Sequence, residues 1–430
     1  MQHKDESLIR YGLIPLTILL ATLYLSRGYR NALLLPEGSS DLWIRYQEQH
    51  YIIKGVNPNY ITEVWRGYSG AKTVEIDPTN DPPTMFAQQT GVHPPSIAGL
   101  GPHWQGGIDH GGGGYPPWAY FTALFLVPTL NWPVTKLFFA ILNAFSLGIM
   151  AWFTYSITRP YGRLPAFGLL TSVLAMGSNS FTLGLGQYGL VVNGMIAGMA
   201  LCLTAERPVG AGILYGLSLV KPSISAPFFF VLMNRQRKSA IMGAVGYIAI
   251  ANLAIWAITG TDPMTMLIQM LDCRRAGGLT GMSDHGLVAI ALLLGISEQI
   301  ALTVIAITGL VVSFLVMWAF RQSHLIILLG TASVLGRLWT VHRIYDNVMM
   351  AFLLIACGHL ALRESSLPNN IVFALVAISL WLPPSVSVIT YIGYSQLLIW
   401  IFSLVYLLVK ERQEALRLSD SNHERPTASL

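Results

Sequence analysis

The chain has 430 residues, of which 53% are hydrophobic and 11% are charged. Charged residues make up about 25% of an ordinary soluble domain, so this composition excludes that class and indicates an all-α, polytopic membrane protein. The formal net charge of +5 lies largely in short connectors and the C-terminal tail. Positive charge there orients helices and meets anionic lipid, so membrane lipids are expected partners and nucleic acid is not.

A span across the ~30 Å hydrocarbon core needs about 20 apolar residues, and the sequence predicts about ten such spans. They are Tyr11–Arg27, Val134–Ile157, Leu164–Phe181, Tyr188–Thr204, Ile241–Thr259, Ile300–Phe320, Leu325–Trp339, Asn347–Leu362, Ile371–Pro383 and Val388–Val409. Three shorter apolar pieces are predicted to form half-helices or interfacial helices: Trp118–Leu130, His285–Ile296 and Val209–Met233. Because Lys221-Pro222 interrupts the last of these, we expect a hairpin of two short helices there.

The predicted organisation follows the order of these spans. It comprises an N-terminus with the first transmembrane helix (1–30), a first outer loop with Asp41 (31–117), a transmembrane core with the Lys221 hairpin (118–259), a second outer loop with an interfacial helix (260–298), C-terminal transmembrane helices (299–409) and a cytosolic tail (410–430). With the hairpin in place, the cationic connectors all fall on the cytoplasmic side. The sequence therefore predicts a plasma (inner) membrane protein whose first and second outer loops face the outside or periplasm.

The first outer loop opens with a predicted helix, Ser39–Lys54. Ser39 or Ser40 can cap it, and Asp41 then falls in a first turn that favours negative charge. Asp41, Arg45 and Glu48 share one polar stripe by i, i+4, i+7 spacing, opposite apolar and aromatic residues. Such a helix suits a membrane surface.

Two further groups of charged residues stand close to apolar sequence. A lysine such as Lys221 in an apolar hairpin costs roughly 2.5–3.5 kcal/mol at a helix centre unless it is paired or hydrated, so it indicates a site, or else it reaches the surface. The second group lies between two spans and could hold a phosphate or form outer-loop ion pairs, such as Arg343 with Asp346. Its members are Arg337, His342, Arg343, Tyr345 and Asp346.

Neither a metal nor another cofactor is expected. Asp41 is followed by Leu42, so there is no Asp-x-Asp pair, and the three cysteines are far apart. The spacing of three histidines and one aspartate in the outer loop fits no ligand motif: His93, His103, Asp109 and His110. Gln187, in a predicted outer turn, could hydrogen-bond a sugar or stabilise the turn.

Several short motifs follow one another along the chain. After Asp41 come G-V-N-P-N-Y at Gly55–Tyr60, Y-P-P at 115–117, Gly186-Gln187, Ala211-Gly212 and Gly216 before Lys221-Pro222, and a basic stop at Arg235–Lys238. In this order they resemble glycosyltransferase family 87, whose members are similar to the polyprenol-phosphate-mannose-dependent mannosyltransferases of glycolipid synthesis. The resemblance covers about Tyr11 to Val409. The stretch between Tyr60 and Tyr115 looks long for that family, which leaves the acceptor open.

The resemblance implies a GT-C-type fold and transfer of a sugar, expected to be mannose, from a polyprenyl-phosphate-linked donor to a lipid or glycan acceptor at the outer face. It implies inversion at the sugar, with Asp41 as the general base. The residues expected at the donor phosphate are Lys221, His342, Arg337 and Arg343. Those expected at the substrate are Gln187, Tyr115, Glu48 and Asp346.

Two other classes of function stay open from the sequence. A transporter or flippase of a lipid-linked sugar would also contain broken helices and a lysine within the membrane. A non-catalytic membrane scaffold would not need Lys221 in an apolar hairpin. The long outer loop with its amphipathic helix favours the enzyme.

Overall fold

The computed structural model describes residues 12–35, 38–59, 114–233, 238–276 and 285–423, with side chains described as far as 271 in the fourth range and 417 in the last. These ranges contain helices and turns and no β-strand. The Gly-, Pro- and His-rich part of the outer loop, with His93, His103, Asp109 and His110, lies outside them.

The helices follow one another with short connections. In the N-terminal half they are α1 (Ile14–Leu34), α2 (Ser40–Ile53), α3 (Pro117–Leu126), α4 (Trp132–Thr158), α5 (Arg163–Leu174), α6 (Gly177–Leu185), α7 (Gly189–Thr204), α8 (Pro208–Ser218) and α9 (Pro222–Leu232). In the C-terminal half they are α10 (Lys238–Thr259), α11 (Pro263–Ala276), α12 (Leu287–Leu293), α13 (Glu298–Ala319), α14 (Leu325–Leu338), α15 (Ala351–Arg363), α16 (Leu367–Trp381), α17 (Pro384–Ser387) and α18 (Thr390–His423). A 3-10 helix, Ile344–Met350, leads directly into α15.

Five helical stretches of the described chain are long and apolar enough to span a membrane: α4, α10, α13, α18, and α15 together with its 3-10 helix. The number becomes six if α5 and α6, which are bent by 45° at the break between them, form one span. The other predicted spans correspond to α1, α7, α14 and α16. None of these four helices is both long enough and apolar enough to be counted as a membrane span. The chain is therefore an all-helical, multi-pass membrane protein, and the total of ten spans stays a prediction.

The chain turns back at Lys221. The Tyr215 hydroxyl in α8 donates to the Ala226 carbonyl oxygen in α9, at 3.2 Å. In one continuous helix these residues would be about 16 Å apart along the axis, beyond the reach of a tyrosine side chain. Pro222 cannot continue the helical hydrogen bonds and keeps Lys221 out of the helical region, at φ −127° and ψ 80°. The predicted break at Lys221-Pro222 is confirmed.

Glycines allow α8 to pack closely against α10. A Cβ added at Gly212 would lie 1.9 Å from the carbonyl oxygen of Ala240, and one added at Gly243 would lie 2.8 Å from that of Val209. Small residues of this kind are typical of interfaces where membrane helices bring their backbones together. This contact fixes α8, and with it Lys221, against α10.

The described segments that end at residue 59 and begin at residue 114 meet at Asn59. The Asn59 Oδ1 atom accepts from the Gly114 N–H at 2.9 Å and from the Tyr120 hydroxyl at 2.8 Å. Its Nδ2 atom donates to the Met266 carbonyl oxygen in α11 at 3.1 Å. One buried amide therefore joins the chain before residue 60 to α3 and α11, and it fixes the start of the Tyr115 segment.

The α2 helix begins where the sequence predicts, but two expectations about it are wrong. Ser39 is the residue before the helix, yet its hydroxyl donates to the Ala32 carbonyl oxygen at 3.2 Å and does not cap α2. Leu42 and Glu48 lie at 0% and 1% exposure, whereas Asp41 and Arg45 are partly exposed, so the apolar side and the Glu48 end of the polar stripe are buried. The helix is largely embedded in the protein instead of presenting its polar face outward, and Glu48 is paired with Arg45 there.

We expect Gly212→Ala to lower the stability of the protein by about 1–3 kcal/mol, as overpacking of a tight interface does. The measurement is thermal unfolding of purified protein in detergent. Gly246→Ala is the matched control, because it lies on α10 with nothing within 4 Å of its added Cβ and should keep or slightly raise stability. Identical melting curves for the two variants would contradict the close α8–α10 contact.

Candidate active site

The first turn of α2 rests on the turn that follows α6. The Ser39 N–H donates to the Gly184 carbonyl oxygen at 2.9 Å. Gly186 has φ +69°, and a Cβ added there would lie 2.6 Å from the Cβ of Leu42. Only glycine combines that backbone conformation with so close an approach. The contact places Asp41, next to Leu42, beside Gln187.

Gln187 is held by the end of α6. The Gly186 N–H donates to the Leu183 carbonyl oxygen at 3.1 Å, and the Gln187 N–H donates to that of Thr182 at 3.0 Å. These two bonds form a Schellman motif, which ends a helix with a glycine in the left-handed conformation. The next helix, α7, starts at Gly189, so Gln187 occupies a short and well-braced turn.

A chain of polar contacts runs from Asp41 into the protein. The Gln187 Nε2 atom donates to Asp41 Oδ2. The Lys221 ammonium donates to Gln187 Oε1 at 2.9 Å and to Asp346 Oδ1 at 2.6 Å. Lys221 and Asp346 are 6% and 4% exposed, so they form a buried ion pair. The alternative that Lys221 extends to the surface is wrong, because a carboxylate within the protein neutralises it.

His342 continues this chain beyond Asp346. Its Nδ1 atom lies 3.3 Å from Asp346 Oδ2, and its Nε2 atom lies 2.7 Å from the Gly336 carbonyl oxygen. A carbonyl and an ionised carboxylate can only accept, so both contacts are hydrogen bonds when both ring nitrogens carry protons. The fully buried His342 imidazole therefore lies between two acceptors, within hydrogen-bonding distance of both.

The two arginines of the same segment differ in environment. Arg337 is 2% exposed, and its Nε donates to Asn347 Oδ1 at 3.0 Å. Arg343 is exposed, and its backbone N–H donates to Asp346 Oδ2 at 3.3 Å. The alternative that Asp346 is neutralised by the Arg343 side chain is wrong, since its ion-pair partner is Lys221, 125 residues away in the sequence.

A second ion pair lies on α2, between the buried Glu48 and the partly buried Arg45. The Arg45 NH1 atom is 2.6 and 2.7 Å from the two carboxylate oxygens of Glu48. The Arg45 guanidinium also lies over the Tyr115 ring, 4.3 Å from its centroid, and Tyr115 packs edge-on against Tyr188. Burial alone would lower the pKa of Arg45, but the adjacent Glu48 carboxylate raises it above its usual value. Arg45 is therefore a permanent cation beside an aromatic wall.

Two residues of the site, Tyr188 and Asn347, were not singled out from the sequence, whereas Tyr345 was named there with the charged cluster. The Tyr345 ring lies over Lys221, with 4.7 Å between the ammonium nitrogen and the ring centroid. Tyr188 packs against Tyr115, and Asn347 binds Arg337. A usable signal was present, because Tyr188 follows the Gly186-Gln187 turn directly and Asn347 is a polar residue at the head of an apolar stretch.

The described site residues come from separate parts of a multi-pass membrane protein and combine a carboxylate, a lysine and a histidine in one hydrogen-bonded chain. No curated protein gives a match to this sequence. Residues 114–341, just over half of the chain, match the model of glycosyltransferase family 87, and the chain belongs to that family. It is therefore a membrane glycosyltransferase, which binds a sugar donor and an acceptor among membrane lipids. The metal independence expected from the sequence stays a prediction.

We expect Lys221→Met to lower stability by about 3–5 kcal/mol, because it leaves the Asp346 carboxylate buried without its partner. The double variant Lys221→Met with Asp346→Asn removes both charges and should recover most of that loss. Chemical or thermal unfolding in detergent measures both. If the double variant is no more stable than Lys221→Met, the two groups do not form a coupled pair in the folded protein.

Proposed function

We propose that this glycosyltransferase moves a sugar, expected to be mannose, from a polyprenyl-phosphate-linked donor to a lipid or glycan acceptor. The reaction takes place at the outer face of the plasma membrane, on a GT-C-type fold, with inversion at the sugar carbon. The observation that carries the proposal is the connection of Asp41, through Gln187, to Lys221, Asp346 and His342. A proton acceptor and a group of cations are the two requirements of this reaction.

Asp41 is proposed as the general base. The acceptor hydroxyl loses its proton to the Asp41 carboxylate as its oxygen attacks the anomeric carbon. The bond between that carbon and the phosphate oxygen breaks, and the electron pair leaves with the lipid phosphate. Asp41 is partly exposed at the head of α2, where an acceptor can reach it.

Lys221 and His342 are proposed to bind the leaving phosphate. Fixed cations at low exposure stabilise charge that develops in the transition state better than water does. Lys221 is a buried cation, His342 offers a ring nitrogen beside Asp346, and the buried Arg337 is bound to Asn347, the residue after Asp346. The exposed Arg343 can meet the phosphate from the rim, where a mobile guanidinium is accessible.

Tyr115, Glu48 and Asp346 are proposed to line the substrate site, and Gln187 is proposed to support it. The aromatic face of Tyr115 suits the apolar side of a sugar ring. Glu48 is 1% exposed and already binds Arg45, so its proposed role is to orient Arg45 beside Tyr115. Lys221 binds Gln187 on one side and Asp346 on the other. These contacts set the distance between Asp41, the proposed base, and the proposed phosphate site.

We expect Asp41→Asn to fold and bind donor like the parent, yet to lose transfer by ~10²–10⁴-fold, as removal of a general base does. Sugar transfer from a polyprenyl-phosphate donor, measured beside melting curves, tests this. Asp262→Asn is the matched control: Asp262 is an exposed aspartate at the head of α11 that accepts from the Thr265 N–H at 2.9 Å. An active Asp41→Asn enzyme would mean that Asp41 is no base.

We also expect transfer to proceed without a divalent ion, because Lys221 and Arg337 provide positive charge at the proposed phosphate site. The measurement compares initial rates of the purified enzyme before and after treatment with EDTA. Equal rates are expected. A loss of transfer in EDTA that magnesium or manganese restores would overturn this expectation.

A further inference from the structure

Gln187 separates two groups of opposite charge. Its Nε2 atom donates to Asp41 Oδ2, and its Oε1 atom accepts from Lys221 Nζ at 2.9 Å. Each end of the amide therefore meets the partner that it can satisfy. A flipped amide would set two acceptors against each other at Asp41 and two donors against each other at Lys221, so only one orientation fits.

The backbone leaves Gln187 little freedom to move away. The Schellman motif binds its N–H to the Thr182 carbonyl oxygen, and Gly186 lies directly under Leu42 of α2. The same short turn thus holds both the backbone of the amide and the helix that carries Asp41. The Asp41 carboxylate and the Gln187 side chain are set by one rigid contact.

The spacing has an electrostatic consequence. A direct contact between Lys221 and Asp41 would stabilise the ionised carboxylate strongly in a partly buried site, and a carboxylate so stabilised is a poor proton acceptor. The amide replaces that contact with one neutral hydrogen bond to Asp41. Lys221 meanwhile takes Asp346 as its counter-ion, so the cation is still neutralised in the protein.

We infer that Gln187 is a positioning residue: it aims the Asp41 carboxylate and keeps it apart from Lys221, so that the base and the phosphate-binding cation work as separate groups. This inference rests on the proposed function of Asp41. It differs from the expectation that Gln187 binds the sugar, since both ends of its amide are engaged by the protein.

The test is a double-mutant cycle of sugar transfer. Gln187→Met keeps the length of the side chain and removes both hydrogen bonds. It should lower kcat about tenfold to a hundredfold, as a misplaced catalytic group does, with little change in the donor KM. In the Asp41→Asn background the same substitution should cause no further loss, because Gln187 acts through Asp41.

A second variant uses the pH profile. Gln187→Glu keeps the shape and places a carboxylate beside Asp41, which disfavours the ionised form of the base. The acidic limb of the kcat/KM profile should therefore move to higher pH, and activity should recover in part above it. A residue that only braces the turn would lower activity at all pH values without moving the limb.

Gln396→Met is the matched control. Gln396 is another buried glutamine whose Nε2 donates to the Ser379 carbonyl oxygen and to the Ser387 hydroxyl, at 2.5 and 3.2 Å. It should lower the melting temperature and leave kcat and the acidic limb of the pH profile unchanged. The control therefore shows whether a loss of thermal stability by itself can lower kcat, which is the result expected of Gln187→Met.

The outcomes separate the two proposals. If Asp41→Asn is inactive but the Gln187 variants keep the kcat and pH profile of the parent, only the positioning role of Gln187 is overturned. The positioning role is also overturned if Gln187→Met lowers kcat by the same factor in the parent and in Asp41→Asn. A raised donor KM with unchanged kcat would overturn it as well, because Gln187 would then be a substrate contact. An active Asp41→Asn overturns the proposed function itself.

Discussion

The buried ion pair between Lys221 and Asp346 is the interaction on which the other polar contacts depend. An ammonium group in a membrane protein is stable only with a counter-ion or water beside it. Lys221 has both a carboxylate and an amide oxygen as acceptors. To bring these together, the α8–α9 turn must meet the turn after α6 and the 3-10 helix before α15. The pair therefore constrains three connections at once.

The backbone is built so that the three connections can meet. Pro222 ends one helix and starts another, which leaves Lys221 at the bend. Gly212 brings α8 into backbone contact with α10, and Gly186 does the same for α2 on the end of α6. Gly212 and Gly186 each exclude a larger side chain for a steric reason. Small residues thus set the distances, and the charged side chains then find partners within hydrogen-bonding range.

The parts of this arrangement that depend on local sequence could be predicted. The break at Lys221-Pro222 follows from the missing N–H of proline. The start of α2 before Asp41 was also placed correctly, although the predicted serine cap does not form. Lys221 and Asp346 were selected as charged residues next to apolar sequence, Gln187 from a predicted turn, and Asp41 from the helix start and the family resemblance. The resemblance to glycosyltransferase family 87 was also correct, as the family match shows.

The pairings could not be predicted, because they depend on tertiary contacts. Spacing favoured Asp346 with Arg343, three residues away, whereas its ion-pair partner is Lys221. The stripe of Asp41, Arg45 and Glu48 suggested a helix facing outward, but periodicity alone cannot distinguish a face turned to water from one turned to polar groups inside the protein. Glu48 belongs to the second kind, because Arg45 neutralises it.

The family match and the geometry cover different parts of the site. Residues 114–341 contain Gln187 and Lys221, the middle of the hydrogen-bonded chain, whereas Asp41 lies before the match and His342 and Asp346 lie after it. Family membership alone therefore identifies a glycosyltransferase without locating its base. The Gln187 amide links Asp41 to the matched core, because its Nε2 atom donates to Asp41 and its Oε1 atom accepts from Lys221. Gln187 therefore joins the matched core to α2, and Lys221 joins the same core to Asp346. The segments before and after the family match thus form one site with the core.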